Sequence, residues 1–152
     1  MIIQSTRFGE LEILEEMIIE FSQGLPGFST EKSFAFLPYQ LESPFAFLQS
    51  VNEPNLTFMV VEPFTFFKDY VFEIDDEIAK GAGISNDNIP QIFNIVSVRD
   101  KVEEMTANLL APIIINWRDR KGMQLILEKT SYTIRHRLFP DGLPGSPSKG
   151  GE

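Results

Sequence analysis

Apolar and polar residues alternate with a period of two along much of the chain, a pattern typical of β-strands with one buried face. The clearest alternation lies in five stretches, which are Glu10–Ile13, Ser33–Phe36, Leu56–Val61, Ile92–Val98 and Met123–Glu128. Prolines and glycines separate these stretches at short intervals, and closely spaced strands and turns are typical of a sandwich or a barrel. The sequence therefore predicts a mainly β domain.

One β-hairpin is predicted between Ile113–Trp117 and Met123–Leu127. The residues between them, Arg118 to Gly122, are four charged residues followed by a glycine. This composition favours a solvated turn, because charged side chains stay hydrated and glycine adopts backbone conformations that other residues avoid.

A short helix is predicted over residues 75–81. Asp75, Asp76 and Glu77 place negative charge at its start, where carboxylates accept hydrogen bonds from free N–H groups and offset the helix dipole. Gly81 and Gly83 mark its end. A calcium loop is the weaker interpretation of these acids, because such loops need acids at alternate positions around a central glycine.

The composition changes after residue 139. Seven of the last 13 residues are proline or glycine, and apolar side chains nearly vanish. Such a segment buries too little surface to offset the entropy of ordering it. We therefore expect one β domain over residues 1–139 and a disordered tail over residues 140–152.

Charge and composition limit the classes of function that the chain can have. The chain has 22 acidic and 13 basic residues, a net charge of −9, so direct binding of nucleic acid is not expected. It has no cysteine, no signal-peptide pattern at its N-terminus and no apolar run near the ~20 residues that span a bilayer. We expect a soluble cytoplasmic protein without a membrane segment.

Catalytic and metal-binding patterns are weak. His136 is the single histidine, it lies between two arginines, and no nucleophile motif accompanies it. One histidine without cysteines does not make a zinc site. A pair of catalytic carboxylates stays open, although nothing in the sequence singles one out. We therefore expect no enzyme activity, no cofactor and no metal.

The segment from Phe64 to Phe72 is the candidate partner-binding surface. Read as a strand, it directs Phe66 and Phe67 to opposite faces, so one aromatic ring is left for solvent or for a partner. The alternative is that both faces pack inside a small barrel closed by the helix. The candidate binding residues combine aromatic anchors with an acidic rim and are Phe64, Phe66, Phe67, Asp69, Tyr70, Glu73, Asp75 and Asp76.

Two asparagines bracket an apolar run before the predicted hairpin. A buried asparagine needs partners for its amide group, so Asn108 and Asn116 are expected to hold loops or strand ends in place. Direct recognition of a partner by these residues is the weaker alternative.

Several short blocks together resemble the FliW family. They are Gly24–Phe28, Phe34–Pro38, Pro63–Tyr70, Thr106–Leu109 with Ala111–Ile113 and Asn116, and Gln124–Leu127 with Tyr132 and Arg135. The blocks follow the order of that family and extend over roughly residues 1–138. The resemblance implies a small, flattened, antiparallel β-barrel-like fold with no catalytic residues.

The resemblance also implies two protein partners. Members of the family bind flagellin in the cytoplasm and bind CsrA, a dimeric RNA-binding translational repressor, so that repression of flagellin mRNA is relieved. Acids in the 69–77 region, Asp75 and Asp76 among them, are expected to steer a basic repressor toward this chain. The alternative function is a small-molecule-binding β-barrel, which requires an interior cavity lined by phenylalanine.

Overall fold

The computed structural model describes residues 1–25 and 27–143 of the chain. Helix α1 spans Asp76–Gly81, and short 3-10 helices span Glu15–Met17, Pro63–Thr65 and Val102–Glu104. The strands are β1 Ile2–Ser5, β2 Gly9–Glu12, β3 Ile18–Phe21, β4 Ser33–Pro38, β5 Phe45–Ser50, β6 Thr57–Val61, β7 Gln91–Ser97, β8 Thr106–Ala107, β9 Ile113–Asn116, β10 Lys121–Gln124 and β11 His136–Arg137.

Seven of the described strands close into a barrel. Strands β3 to β7 pair antiparallel in chain order, β7 pairs with β9, and β9 forms a hairpin with β10. The ring closes where β10 pairs with β3. This pairing is parallel, so the predicted β-barrel is confirmed but one of its pairings is not antiparallel. Strands β8 and β11 extend from the second half of β7.

The barrel interior is filled by apolar side chains. Four phenylalanines of the alternating stretches lie there, with Phe34 and Phe93 buried and Phe36 and Phe58 packed against the same cluster. The Phe21 and Phe34 rings meet edge to face, with centroids 5.6 Å apart, a geometry that aromatic pairs prefer. The remaining buried members of the cluster are Ile19, Leu25, Ala46, Leu48, Leu56, Val60, Ile113 and Ile115.

Two smaller apolar clusters cover the outside of the barrel. The β1–β2 hairpin places Ile3 and Ile13 over the outer face of β4, against Ala35. On another side, Val61, Val96 and Leu109 belong to a cluster that also contains the aromatic residues after β6.

Strand β5 shows why part of the sheet was not predicted. Its apolar run does not alternate, because both faces of the strand are buried. Leu48 faces the barrel interior, whereas Gln49 lies under the β1–β2 hairpin and accepts a 2.7 Å hydrogen bond from the Ser5 hydroxyl. Strands β1 and β3 were also absent from the sequence prediction.

The predicted hairpin and helix are present with shifted bounds. The turn of the hairpin is Trp117–Arg120, with Arg120 at a positive φ of 54°. Lys121 and Gly122, predicted in the turn, belong to β10, and β10 ends at Gln124 instead of Leu127. Asp75 caps α1 as predicted, because its carboxylate accepts a 2.8 Å hydrogen bond from the N–H of Glu77.

The predicted tail lies largely outside the described residues, which end at residue 143. Its disorder and the domain boundary at residue 139 stay predictions. In the described part, the N–H of Gly142 donates a 3.1 Å hydrogen bond to the carbonyl oxygen of Phe139.

Candidate partner-binding surface

The predicted strand across Phe64–Phe72 is wrong, because this segment begins with a 3-10 helix and continues through turns. Pro63 occupies the first helical turn, where a missing N–H costs nothing. The Glu62 carboxylate accepts hydrogen bonds from the N–H groups of Phe64 and Thr65, at 2.9 and 3.3 Å. A proline preceded by a capping acid is a helix-start signal that outweighs the aromatic alternation.

The aromatic side chains of this segment are used mainly for packing. Phe66 lies between Phe45 and Phe139, with ring centroids 5.7 and 5.4 Å away. Phe67 is also half-buried in this outer cluster, which agrees with packing as the alternative use of the two rings. Phe64 keeps 43% of its surface exposed and is the most accessible of the candidate aromatic anchors.

Tyr70 is a core residue and not a surface anchor. Its side chain is 5% exposed, and its hydroxyl donates a 2.7 Å hydrogen bond to the carbonyl oxygen of Leu109. The same hydroxyl accepts a 3.2 Å hydrogen bond from Nδ2 of Asn94. Burial raises the pKa of Tyr70 to about 12, since the phenolate is poorly solvated there. Tyr70 therefore fastens the segment after β6 to the barrel.

The candidate acids are all exposed. Asp69, Glu73, Asp75 and Asp76 lie on the surface from the turn after Phe67 to the first turn of α1. Of these, Asp75 has the structural task of capping α1. The other three carboxylates have no hydrogen bond among the described residues, so they are available to an incoming basic group.

A groove of about 500 Å³ brings two of these acids to a second segment of the chain. Glu73 and Asp75 lie on one side of it together with Val71, which is 72% exposed. The opposite side is the stretch Leu125–Thr130, which follows β10. No local sequence pattern indicates this groove, because its two sides lie roughly 50 residues apart in the chain.

A second groove, of about 400 Å³, lies on the other flank of α1. Ile78 of the helix faces Ile114 and Met123 of the β9–β10 hairpin across an apolar floor. Polar residues form its rim, among them Glu20 and Lys121.

Asn116 anchors the loop after α1 to the barrel. Its Nδ2 donates to the carbonyl oxygen of Ala82 at 2.8 Å and to the Asp119 carboxylate at 2.9 Å, and its Oδ1 accepts from Nδ2 of Asn88 at 2.9 Å. Asn108 has a similar task, since its Oδ1 accepts a 3.1 Å hydrogen bond from the N–H of Ala111. The predicted structural role of both asparagines is confirmed.

The comparison with known proteins settles the family. The family model described as FliW protein matches residues 2–138. The chain belongs to the FliW family. It is 50% identical over 99% of both chains to "Flagellar assembly factor FliW" of Desulfitobacterium hafniense (strain DSM 10664 / DCB-2). It is 44% identical to the protein of that name from Bacillus subtilis (strain 168), over 91% of this chain and 96% of the relative.

The FliW fold is confirmed by a solved structure. The "Crystal structure of the flagellar assembly factor FliW" superposes on 94% of this chain and 100% of its own, with a TM-score of 0.84 and 40% sequence identity. The resemblance of the sequence blocks to this family is therefore confirmed.

His136 has a structural explanation in this FliW chain. It lies half-buried in β11, and its Nε2 accepts a 2.8 Å hydrogen bond from the N–H of Thr133. Burial lowers the pKa of His136, so the neutral ring that this hydrogen bond requires is favoured. Among residues 1–25 and 27–143, no helix is long and apolar enough to cross a bilayer.

Proposed function

We propose that this chain is a flagellar assembly factor that works by binding proteins. It binds flagellin, and it antagonises the translational repressor CsrA, so that repression of flagellin mRNA is relieved. The observation that carries the proposal is the similarity to proteins named as flagellar assembly factors, which extends over nearly the whole of both chains at 50% identity. Both partners meet the chain in the cytoplasm, where flagellin is made and its mRNA is translated.

The charge of the chain supports the CsrA part of the proposal. A repressor that binds RNA needs a basic surface, because it must replace the counterions of the phosphates. This chain carries a net charge of −9 and exposes Asp69, Glu73 and Asp76 without ion-pair partners in its described part. Opposite charge accelerates association, so CsrA is steered toward this chain while nucleic acid is repelled.

The filled interior weighs against the small-molecule alternative. Phe21, Phe34 and Leu48 are fully buried inside the barrel, in the space where a bound ligand would lie. The grooves beside α1 lie instead on the surface, where a protein partner reaches them.

Calorimetric titration tests the proposal directly. The chain is titrated into purified CsrA, first alone and then with flagellin already bound. Saturable binding to CsrA that flagellin abolishes supports a switch between two partners. Absence of binding to both proteins contradicts the proposal. A gel-shift assay of CsrA on the leader of flagellin mRNA then shows whether binding releases the RNA.

A further inference from the structure

The stretch that follows β10 has one paired and one unpaired backbone edge. The N–H groups of Leu125 and Leu127 donate 2.9 Å hydrogen bonds to the carbonyl oxygens of Pro112 and Leu110. This prolongs the antiparallel pairing of the β9–β10 hairpin beyond its last ladder pair, Gln124 with Ile113. The chain is therefore extended here, with alternate N–H groups directed toward its neighbour.

The intervening N–H groups point the other way. Successive backbone groups of an extended chain alternate in direction, so those of Ile126 and Glu128 face away from residues 110–112. Neither N–H donates a hydrogen bond to any part of the chain that the structure describes. Strand β3 pairs with β10 only at Lys121 and Gly122, so it leaves this edge free.

The unpaired edge lines the groove that contains Glu73 and Asp75. Exposed apolar groups lie beside it, with Ile126 58% and Val71 72% exposed. Natural sheets usually protect such edges with lysine or with a bulge that prevents pairing. Here the charged side chains around the edge are three carboxylates and one ammonium group, those of Glu73, Asp75, Glu128 and Lys129.

We propose that an extended, lysine- or arginine-containing segment of a partner protein binds here by adding a strand to the edge at Ile126–Glu128. Backbone hydrogen bonds supply affinity in this mode of recognition, and alternate side chains supply specificity. The apolar side chains of the segment pack on Val71 and Ile126, and its basic side chains pair with Glu73 and Glu128. A second copy of this chain is a poor occupant, because it brings the same carboxylates.

The inference stands apart from the proposed function, because it is tested without CsrA or flagellin. The probe is a short synthetic peptide that alternates lysine and valine, with acetylated and amidated ends. Fluorescence anisotropy gives its Kd for the full chain. An otherwise identical peptide with glutamate in place of lysine is expected to bind at least about 10-fold more weakly, because it meets the carboxylates of the rim.

Two N-methylated peptides test the strand geometry on the unaltered protein. One carries methyl groups on the valine amides and the other on the lysine amides. In a bound strand only one set of alternate N–H groups faces the protein, so one peptide loses binding and the other retains it. If the peptide binds as a helix or only through its charge, the two methylated peptides have the same affinity. Equal affinities therefore overturn the proposal.

Variants locate the site. Ile126→Pro removes an N–H that has no partner among the described residues, so we expect the circular dichroism spectrum to be kept and peptide affinity to fall about 10-fold. Glu73→Gln with Glu128→Gln is expected to weaken binding similarly. The matched control, Glu10→Gln with Glu12→Gln, removes equal charge on β2 and leaves the affinity unchanged. The proposal is overturned if the two double variants lose peptide affinity equally. It is also overturned if the lysine peptide does not bind to the unaltered protein.

Discussion

Gly122 of β10 lies directly against the ring of Phe21 in β3. A Cβ atom at position 122 would lie 2.6 Å from Cζ of Phe21, well inside the roughly 3.5–4.0 Å separation of packed carbon atoms. Because Phe21 is fully buried, its ring has nowhere to move without disturbing the core. The close approach lies at the pairing that closes the barrel.

Gly122→Ala is therefore expected to lower the free energy of unfolding by about 1–3 kcal/mol, the cost of overpacking a core. Urea denaturation followed by circular dichroism measures it. Gly81→Ala is the control, because its added Cβ meets no atom within 4 Å among the described residues outside its own helical turn, and in α1 it should be neutral or stabilise slightly. Combining Phe21→Leu with Gly122→Ala should cost less free energy of unfolding than the sum of the two single substitutions, because the smaller side chain makes room for the added Cβ. Strictly additive losses would contradict the assigned contact.

Tyr70→Phe is expected to destabilise the protein by about 1–2 kcal/mol. The substitution leaves the carbonyl oxygen of Leu109 and Nδ2 of Asn94 each short of one buried hydrogen-bond partner. Thermal and urea denaturation measure the loss. Tyr39→Phe removes a hydroxyl that is exposed and serves as the control. Equal stability of the two variants would show that the hydroxyl of Tyr70 contributes nothing.

The same tyrosine makes stability depend on alkaline pH. Its pKa is raised from 10.0 to about 12 in the folded state, so the folded protein holds the phenol proton that the unfolded chain releases. The contribution of this raised pKa to the free energy of unfolding is fully present below pH 10. It is lost between pH 10 and 12, by up to about 2–3 kcal/mol. Denaturation across this range should show a steeper decline for the unaltered protein than for Tyr70→Phe. Parallel curves would rule out Tyr70 as the source.

Asn116→Ala is expected to loosen the loop after α1 and to lower overall stability by about 1–3 kcal/mol. The substitution removes hydrogen bonds to Ala82, Asn88 and Asp119 while Asn116 is 2% exposed. Hydrogen exchange should increase most in residues 76–90. Asn52→Ala changes an exposed asparagine in a turn and should leave exchange unaltered. A uniform increase throughout the barrel would contradict a local anchoring role.

Asp69→Lys with Asp76→Lys is expected to slow association with CsrA by about 3- to 10-fold at low salt and to flatten its salt dependence. The two carboxylates are exposed and have no described hydrogen bond, whereas Asp75 is retained because it caps α1. Stopped-flow kinetics at several salt concentrations measures the effect. Glu10→Lys with Glu12→Lys makes an equal change of charge on β2. An unchanged rate at low salt would reject steering by these acids.

Local signals predicted the elements whose two faces differ. The alternation around Leu11 indicates β2 because Leu11 is half-buried whereas Glu10 and Glu12 are exposed. Asp75 predicts the start of α1 because the free N–H groups of a helix need acceptors. Strand β5 escaped prediction, since burial on both faces removes the alternation.

The candidate surface was predicted only in part, because its geometry depends on contacts distant in sequence. Glu62 and Pro63 start a 3-10 helix where aromatic alternation indicated a strand, and Tyr70 is buried by Leu109, 39 residues further on. The acids were identified correctly as exposed positions. Two of them, Glu73 and Asp75, lie beside the free edge at Ile126, and this location follows from the pairing of the β9–β10 hairpin, which no local pattern reveals.

The pairing of Glu20 with Lys121 governs when the protein can finish folding during its synthesis. The two residues are roughly 100 positions apart, so the ribosome must extrude most of the chain before the ring can close. Until then the nascent sheet of β3 to β6 presents β3 as a bare edge, to which a neighbouring nascent chain can attach. Polysomes translating this mRNA are therefore where misassembly is most probable, and a ribosome stalled before Gly122 holds a sheet that cannot become a barrel.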